Sequence, residues 1–369
     1  MRPMLAIGLF VLLHGYIGWR LIPALPAWAG ALLAVALLAS TLLIPAAFVG
    51  RRAARRDVAD RWSWAGMTAL GLFSMLLVLT FARDLLLLAT AFAALPTLAA
   101  TSAAAVPVLA LGFSAIGFAA ARRTARVREV DVPIAGLPPA LHGFTIAQVT
   151  DLHVGPTIKR GYVQAVVDRV NALQADVVAL TGDLVDGRVQ DLAADFAPLA
   201  TLRARHGVFA VTGNHEFYSG AEPWVAHWRA QGITPLRDEH RVLRHGGAAL
   251  VLAGVDDPTA RGLGGRRSDP AAALQGAPAD AALRVLLAHQ PRSAAAAADA
   301  GFELQLSGHT HGGQFWPWNL LVPLQQPFVA GLHRLGRLWV YTSRGTGYWG
   351  PPLRLGAPSE ISRLRLVPA

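Results

Sequence analysis

A chain of 369 residues exceeds one average domain, and an apolar fraction of 53% with a mean hydropathy of +0.40 is too high for a protein wholly in water, so part of it belongs in lipid. The formal net charge of +10 invites a polyanion partner, yet residues 1–128 hold 12 Arg against 3 Asp, a net +9, which leaves +1 for the rest. A nucleic-acid binder carries its basic patch on the folded domain, whereas arginine-rich loops beside apolar helices follow the positive-inside rule, so no nucleic-acid partner is expected. The absence of cysteine excludes disulfides, zinc-thiolate sites and cysteine nucleophiles.

Two apolar stretches, 4–20 and 27–49, open the chain and approach or reach bilayer length. Arg2 and the short first core also suit a cleaved signal peptide, but His14, Tyr16 and Trp19 are poor cleavage-region residues and a second apolar stretch follows at once, which favours a retained helix. Further spans at 63–83 and 103–121 give four helices, with Arg83 and Asp84 near the end of a long third helix or facing the bundle. The alternative is five crossings, with 85–100 as a short fourth. Arginine clusters at 51–61 and at Arg122, Arg123, Arg126 and Arg128 fall on one face only for an even count, which places the C-terminal domain in the cytoplasm.

Residues 1–128 therefore read as an all-α transmembrane region and 129–369 as an α/β domain. Phe144–Val149 reads as a strand, Val163, Val166, Val167, Val170 and Leu173 recur at helical spacing, and Val177–Leu180 is the next strand. This β-α-β order predicts a parallel pair. Short strands are expected again at 208–211, 249–252, 285–287, 304–306 and 338–341.

Chemistry-bearing residues stand where these apolar runs end: Asp151-Leu152-His153, Gly182-Asp183-Leu184-Val185-Asp186, Gly213-Asn214-His215-Glu216, His289 and Gly308-His309-Thr310-His311. Carboxylate, amide and imidazole donors from several segments are what a dinuclear centre needs, together with one carboxylate placed to bridge two ions roughly 3.5–4 Å apart. In Asp151/His153 and His309/His311 a two-residue spacing lets both groups face one cavity when the backbone turns, and Gly155-Pro156 supplies a turn after the first pair.

The series DxH, GDxxD, GNH(D/E), His, GHxH resembles the calcineurin-like metallophosphoesterase superfamily, over roughly residues 140–365. Ser343–Gly347 and Pro351–Gly356 are similar to its bacterial branch of YkuE-like and YaeI-like phosphoesterases, some of them multi-pass. The resemblance implies a four-layer sandwich of two mixed sheets flanked by helices. It also implies two divalent transition-metal ions (Mn, Fe, Zn or Co), one held by Asp151, His153, Asp183 and His311, the other by Asp183, Asn214, His289 and His309, with Asp183 as the bridge. His215 would protonate the leaving oxygen or stabilise phosphoryl charge, with Glu216 orienting it. The implied activity is hydrolysis of a phosphodiester or related ester, including a lipid-linked one, by a metal-bound hydroxide at the inner membrane of a bacterium. The alternative is a non-catalytic membrane sensor or scaffold with a metal-binding domain.

Asp186 fits the last position of GDxxD but reads first as a supporting residue. His206, His227, His240, His245 and His333 lack a ligand partner at motif spacing and read as solvated, while His14, in the first span, suits packing or an interhelical hydrogen bond. Arg344 suits either substrate phosphate or an ion pair. Trp316, Trp318, Trp339 and Trp349 read as core or as an apolar rim beside the site.

Overall fold

The computed structural model describes residues 3–50, 55–93, 95–263, 265 and 268–369; Arg2, Arg51 and Arg52 lie outside them. The chain forms two compact units: 1–122 with 350–355, and 123–349 with 356–369.

The first unit is helical: α1 (Pro3–Leu21), α2 (Ala27–Gly50), α3 (Arg56–Ala89) and α4 (Leu98–Arg122). All four are long and apolar enough to cross a membrane. The run after Arg83-Asp84 continues α3 as one helix to Ala89, so among the described residues the five-crossing alternative finds no separate short helix between α3 and α4. The charged groups of these helices are partnered, as an apolar surrounding demands: Arg20 and Tyr16 of α1 donate to the Asp84 carboxylate at 2.8–2.9 Å. Buried Arg83 donates to Ser102 Oγ and to the carbonyls of Ala99 and Arg20. His14 Nε2 lies 2.9 Å from Ser40 Oγ, joining α1 to α2. The α2 and α3 backbones meet so closely at Gly66 that an added Cβ would stand 2.4 Å from Ala47 Cβ.

The second unit runs β1 (Arg126–Ile134), β2 (Thr145–Val149), α5 (Arg160–Ala172), β3 (Val177–Thr181), α6 (Val189–Phe196), β4 (Val208–Val211), α7 (Asn214–Ser219), α8 (Ala221–Ala230), β5 (Thr234–Pro235), β6 (Glu239–His245), β7 (Ala248–Gly254), β8 (Leu283–Leu287), α9 (Ala294–Ala300), β9 (Leu304–Ser307), β10 (Gly331–Leu335), β11 (Leu338–Thr342) and β12 (Glu360–Pro368). One sheet has the order β1-β12-β2-β3-β4-β5, the other β10-β11-β9-β8-β7-β6. Both are mixed, since β12 runs antiparallel to β2 and β7 antiparallel to β6 while β2-β3-β4 and β7-β8-β9 are parallel. The parallel β2-α5-β3 unit has the expected order.

The sheets face each other across one core. Ile146, Ala179 and Phe209 of the first meet Leu252, Val285, Leu287 and Leu306 of the second. Strand period two sends the intervening residues the other way, so Ala253 and Leu286 join Ala294 and Ala297 of α9 in a separate cluster. Burying each of these leucines or valines contributes about 1.5–3 kcal/mol relative to exposure. Strand β1 starts ahead of residue 129 and takes in Arg126 and Arg128, read above as part of a membrane-exit cluster; Arg128 lies 3.6 Å from Glu360.

Candidate metal centre

Parallel pairing carries β2 and β3 side by side into two loops that continue to hydrogen-bond after the strands end. Asp151 N donates to Gly182 O, His153 N to Asp183 O and Asp186 N to Val154 O, at 2.9–3.0 Å. The DxH and GDxxD segments are thus held in register. Tight packing between the ends of β3 and β4 fixes the third segment: a Cβ on Gly213 would stand 2.2 Å from Asp183 Oδ1. The fourth and fifth segments leave β8 and β9 of the facing sheet, and Gly308 N donates to His289 O at 2.9 Å. Asp151, His153, Asp183, His309 and His311 all adopt positive φ, between 51° and 69°, which turns their side chains into the common cavity.

Six of the seven ligand candidates converge in two groups. Asp151, His153 and His311 place one donor atom each within 4.8 Å of one another, as do Asp183, His289 and His309. His153 Nε2 and His311 Nε2 are 3.1 Å apart, and His311 Nε2 is 3.3 Å from Asp151 Oδ1. In the other group His309 Nδ1 is 3.2 Å from His289 Nε2, itself 3.1 Å from Asp183 Oδ2. Asp183 Oδ2 also lies 3.9 Å from His153 Nε2, between the groups. Tautomers are preset: His289 Nδ1 donates to Thr181 O at 2.8 Å and His153 Nδ1 to Asp186 Oδ1 at 2.9 Å, leaving each Nε2 turned inward. Asn214 Oδ1 is buried without a hydrogen-bond partner. A buried amide oxygen without a partner is costly unless a cation draws on its lone pair, so the residues present fit divalent metal.

His215 lies beside these groups, its Nε2 4.0 Å from Asp183 Oδ2 and its Nδ1 2.7 Å from Asp186 Oδ1. Burial alone would lower its pKa, but the Asp186 hydrogen bond and the Asp183 charge outweigh it and hold the imidazole at about 9. His309 is driven the other way, to about 3, first by burial and then by the neighbouring His289. For Asp183, burial would raise the pKa, but His289, His215 and His153 together hold it well below the usual carboxylate range.

Glu216 does not orient His215 as expected. Its buried carboxylate accepts Asp183 N at 2.9 Å, Leu184 N at 2.7 Å and Gly213 N at 2.6 Å, binding the second and third ligand segments together through backbone. The orienting residue is Asp186, whose one oxygen serves both His153 and His215; the final Asp of GDxxD is the signal that pointed to it. Arg344 pairs with Glu360 at 3.0 Å. His206 and His245, expected to be solvated, meet Asp176 in a half-buried cluster with ring nitrogens 3.0 Å apart, because the ends of β3, β4 and β6 converge there. Trp339 is partly buried in β11, whereas Trp316, Trp318 and Trp349 are exposed.

Two mixed sheets with histidine and aspartate clusters at their strand ends define a metallophosphoesterase. Residues 144–313 match the calcineurin-like phosphoesterase family. The chain is 40% identical over 268 residues to a transmembrane protein with metallophosphoesterase domain from Bos taurus, covering 69% of this chain and 60% of that protein. It is 37% identical to an uncharacterized metallophosphoesterase of Helicobacter pylori strain J99, covering 70% of this chain and 68% of the relative. It is 29% identical to the uncharacterized metallophosphoesterase YkuE of Bacillus subtilis, covering 61% of this chain and 80% of the relative. The chain belongs to the calcineurin-like metallophosphoesterase family, whose members use divalent metals, and it is a membrane protein.

Proposed function

We propose that this protein is a two-metal phosphoesterase of the bacterial inner membrane that hydrolyses a phosphodiester, its catalytic domain in the cytoplasm. The observation that carries the reading is the buried, unpartnered Asn214 Oδ1 beside two converging His/Asp groups, with a charged imidazole alongside. Asp151, His153, Asp183 and His311 would hold one ion and Asp183, Asn214, His289 and His309 the other, with Asp183 shared. Mn, Fe, Zn and Co suit this mixed donor set, because imidazole favours transition metals over Ca and Mg. Bound there, divalent ions supply charge neutralisation at the phosphoryl oxygens and acidify water.

The chain's own residues do the rest. Asp186 fixes the His215 tautomer and holds its proton, so at neutral pH Nε2–H faces the cavity and donates to the leaving oxygen. General-acid help of this kind is typically worth about 10²–10⁴-fold. Asp183 both presents a carboxylate to the cavity and accepts His215 N at 2.8 Å, tying the acid's backbone to the proposed bridging ligand.

Detergent-purified protein, assayed with a chromogenic phosphodiester and Mn²⁺, should turn over, and Asp183→Ala and His215→Ala should lose that activity. Wild type no faster than these variants across several metals would replace the enzyme reading with a non-catalytic sensor.

A further inference from the structure

Between the His309/His311 turn and β10 lies a loop whose composition suits neither core nor ordinary surface: residues 315–329 contain no charged side chain. Its tip carries Trp316, Trp318, Leu320, Leu321 and Leu324, all exposed, Leu324 at 80%. Apolar groups clustered in this way on a folded domain mark a contact surface. The loop is nonetheless tied down at its base. Gln314 Nε2 donates to Trp349 O and Trp349 N returns a bond to Gln314 Oε1, both at 2.9 Å. At the other end Gln326 Nε2 donates to Gln290 Oε1 at 2.9 Å, and Thr310 Oγ1 donates to Val329 O at 2.6 Å. Gln290 adjoins His289, and Thr310 stands between His309 and His311. The tip is therefore displayed by a frame built into the candidate metal centre, and the Trp349 ring lies 5.7 Å from that of His215.

We propose that the 316–324 tip docks into a phospholipid surface, seating the metal centre on the headgroups so that the ester it cuts is carried by a lipid; the substrate half rests on the hydrolase reading above. Three observations select a bilayer over a protein partner. Four bilayer-length helices on the same chain keep a lipid surface at high effective concentration. The tip pairs tryptophan with leucine and lacks charge, the composition that partitions into the interfacial zone. Cationic Arg292 stands at the base, its N donating to Gln326 Oε1 at 3.1 Å and its Nη2 to Gln325 O at 3.4 Å, where it faces anionic headgroups once the tip is inserted.

The absence of native cysteine makes the test direct. Full-length Leu321→Cys and Leu324→Cys, with Val242→Cys on β6 as an exposed control, would be spin-labelled and reconstituted in phosphatidylcholine–phosphatidylglycerol vesicles. Labels at 321 and 324 should be more accessible to oxygen than to a water-soluble nickel chelate, and the label at 242 the reverse. Water-like values at 321 and 324, or exclusion of both reagents as at a protein interface, would overturn docking. In a second arm, Leu320→Ser/Leu321→Ser/Leu324→Ser should lose about tenfold or more in kcat/KM on a dialkylglycerol nitrophenyl phosphate in vesicles, yet stay within about twofold of wild type on soluble bis-nitrophenyl phosphate, because only the first substrate depends on interfacial binding. Equal loss on both, or none on either, would overturn the lipid-substrate half. A wild type inactive on both would overturn the hydrolase reading, with the spin-label result still deciding docking.

Discussion

Glu216→Gln isolates what holds the proposed ligand segments together. The carboxylate accepts three backbone N–H groups, two on Oε2 and one on Oε1. A glutamine keeps one acceptor oxygen; turned toward the Asp183/Gly213 pair, it leaves its NH₂ against the N–H of Leu184. One buried donor is then unsatisfied, at a cost of about 1–3 kcal/mol. Some of that is offset, because burial and the nearby Asp183 charge push the Glu216 pKa up to about 7, and a neutral side chain escapes that repulsion. A net loss of roughly 1–2 kcal/mol remains, which in a domain of this size lowers Tm by about 2–8 °C. Glu216→Ala strips all three donors of their partner and should cost at least twice as much. Thermal unfolding of purified protein, paired with bound metal measured by elemental analysis, reads both effects, since Asp183 and Asn214 sit on the segments that Glu216 joins. An unchanged Tm and full metal loading in Glu216→Ala would refute this account of the residue.

Asp186→Asn should reduce metal affinity or turnover by about 10–100-fold while leaving the fold intact, because it weakens the orientation of both His153 and His215; metal titration and steady-state kinetics check this. In metal-stripped protein His215 titrates above the free value of 6.5, so its charge stabilises the fold fully below pH 6.5, and this contribution is lost as pH rises toward about 9. The stability gap between wild type and His215→Gln in urea unfolding should accordingly close over that interval. Adding Mn²⁺ at about 100 times its Kd to stripped protein should raise stability by about 2.7 kcal/mol for each ion bound, seen as a concentration-dependent Tm; a Tm insensitive to metal would remove the dinuclear assignment. In the membrane unit, Gly66→Val should separate α2 from α3 and lower detergent resistance, whereas Gly112→Val, with nothing within 4 Å of an added Cβ, should be neutral in the same assay.

The readings that held are those in which one physical demand dominates. Central strands such as β3 and β8 are buried along most of their length and announce themselves as apolar runs, and the site motifs sit where those runs stop. Strands toward the sheet edges were less legible. β1 and β12 alternate charged with apolar residues, and their parallel register sets Asp131 opposite Arg365, with carboxylate–guanidinium contacts of 2.7–2.8 Å. Such ladders resemble surface helix or loop until the partner strand, more than 200 residues away, is known. β6, with five of its seven residues Glu, His or Arg on one edge of the second sheet, hid for the same reason. Glu216 was misread because adjacency to His215 suggested a side-chain partner, whereas its actual partners are backbone groups, which leave no residue-specific mark in a sequence.

The five left-handed residues at the centre have an evolutionary consequence. Each holds a donor in a conformation that costs a side-chain-bearing residue of order 1–3 kcal/mol and glycine almost nothing. At these positions a substitution to glycine removes a ligand and relieves backbone strain in the same step, so loss of the centre is cushioned by a gain in folding. A lineage released from selection on this centre should therefore drift toward glycine at Asp151, His153, Asp183, His309 and His311 sooner than toward alanine.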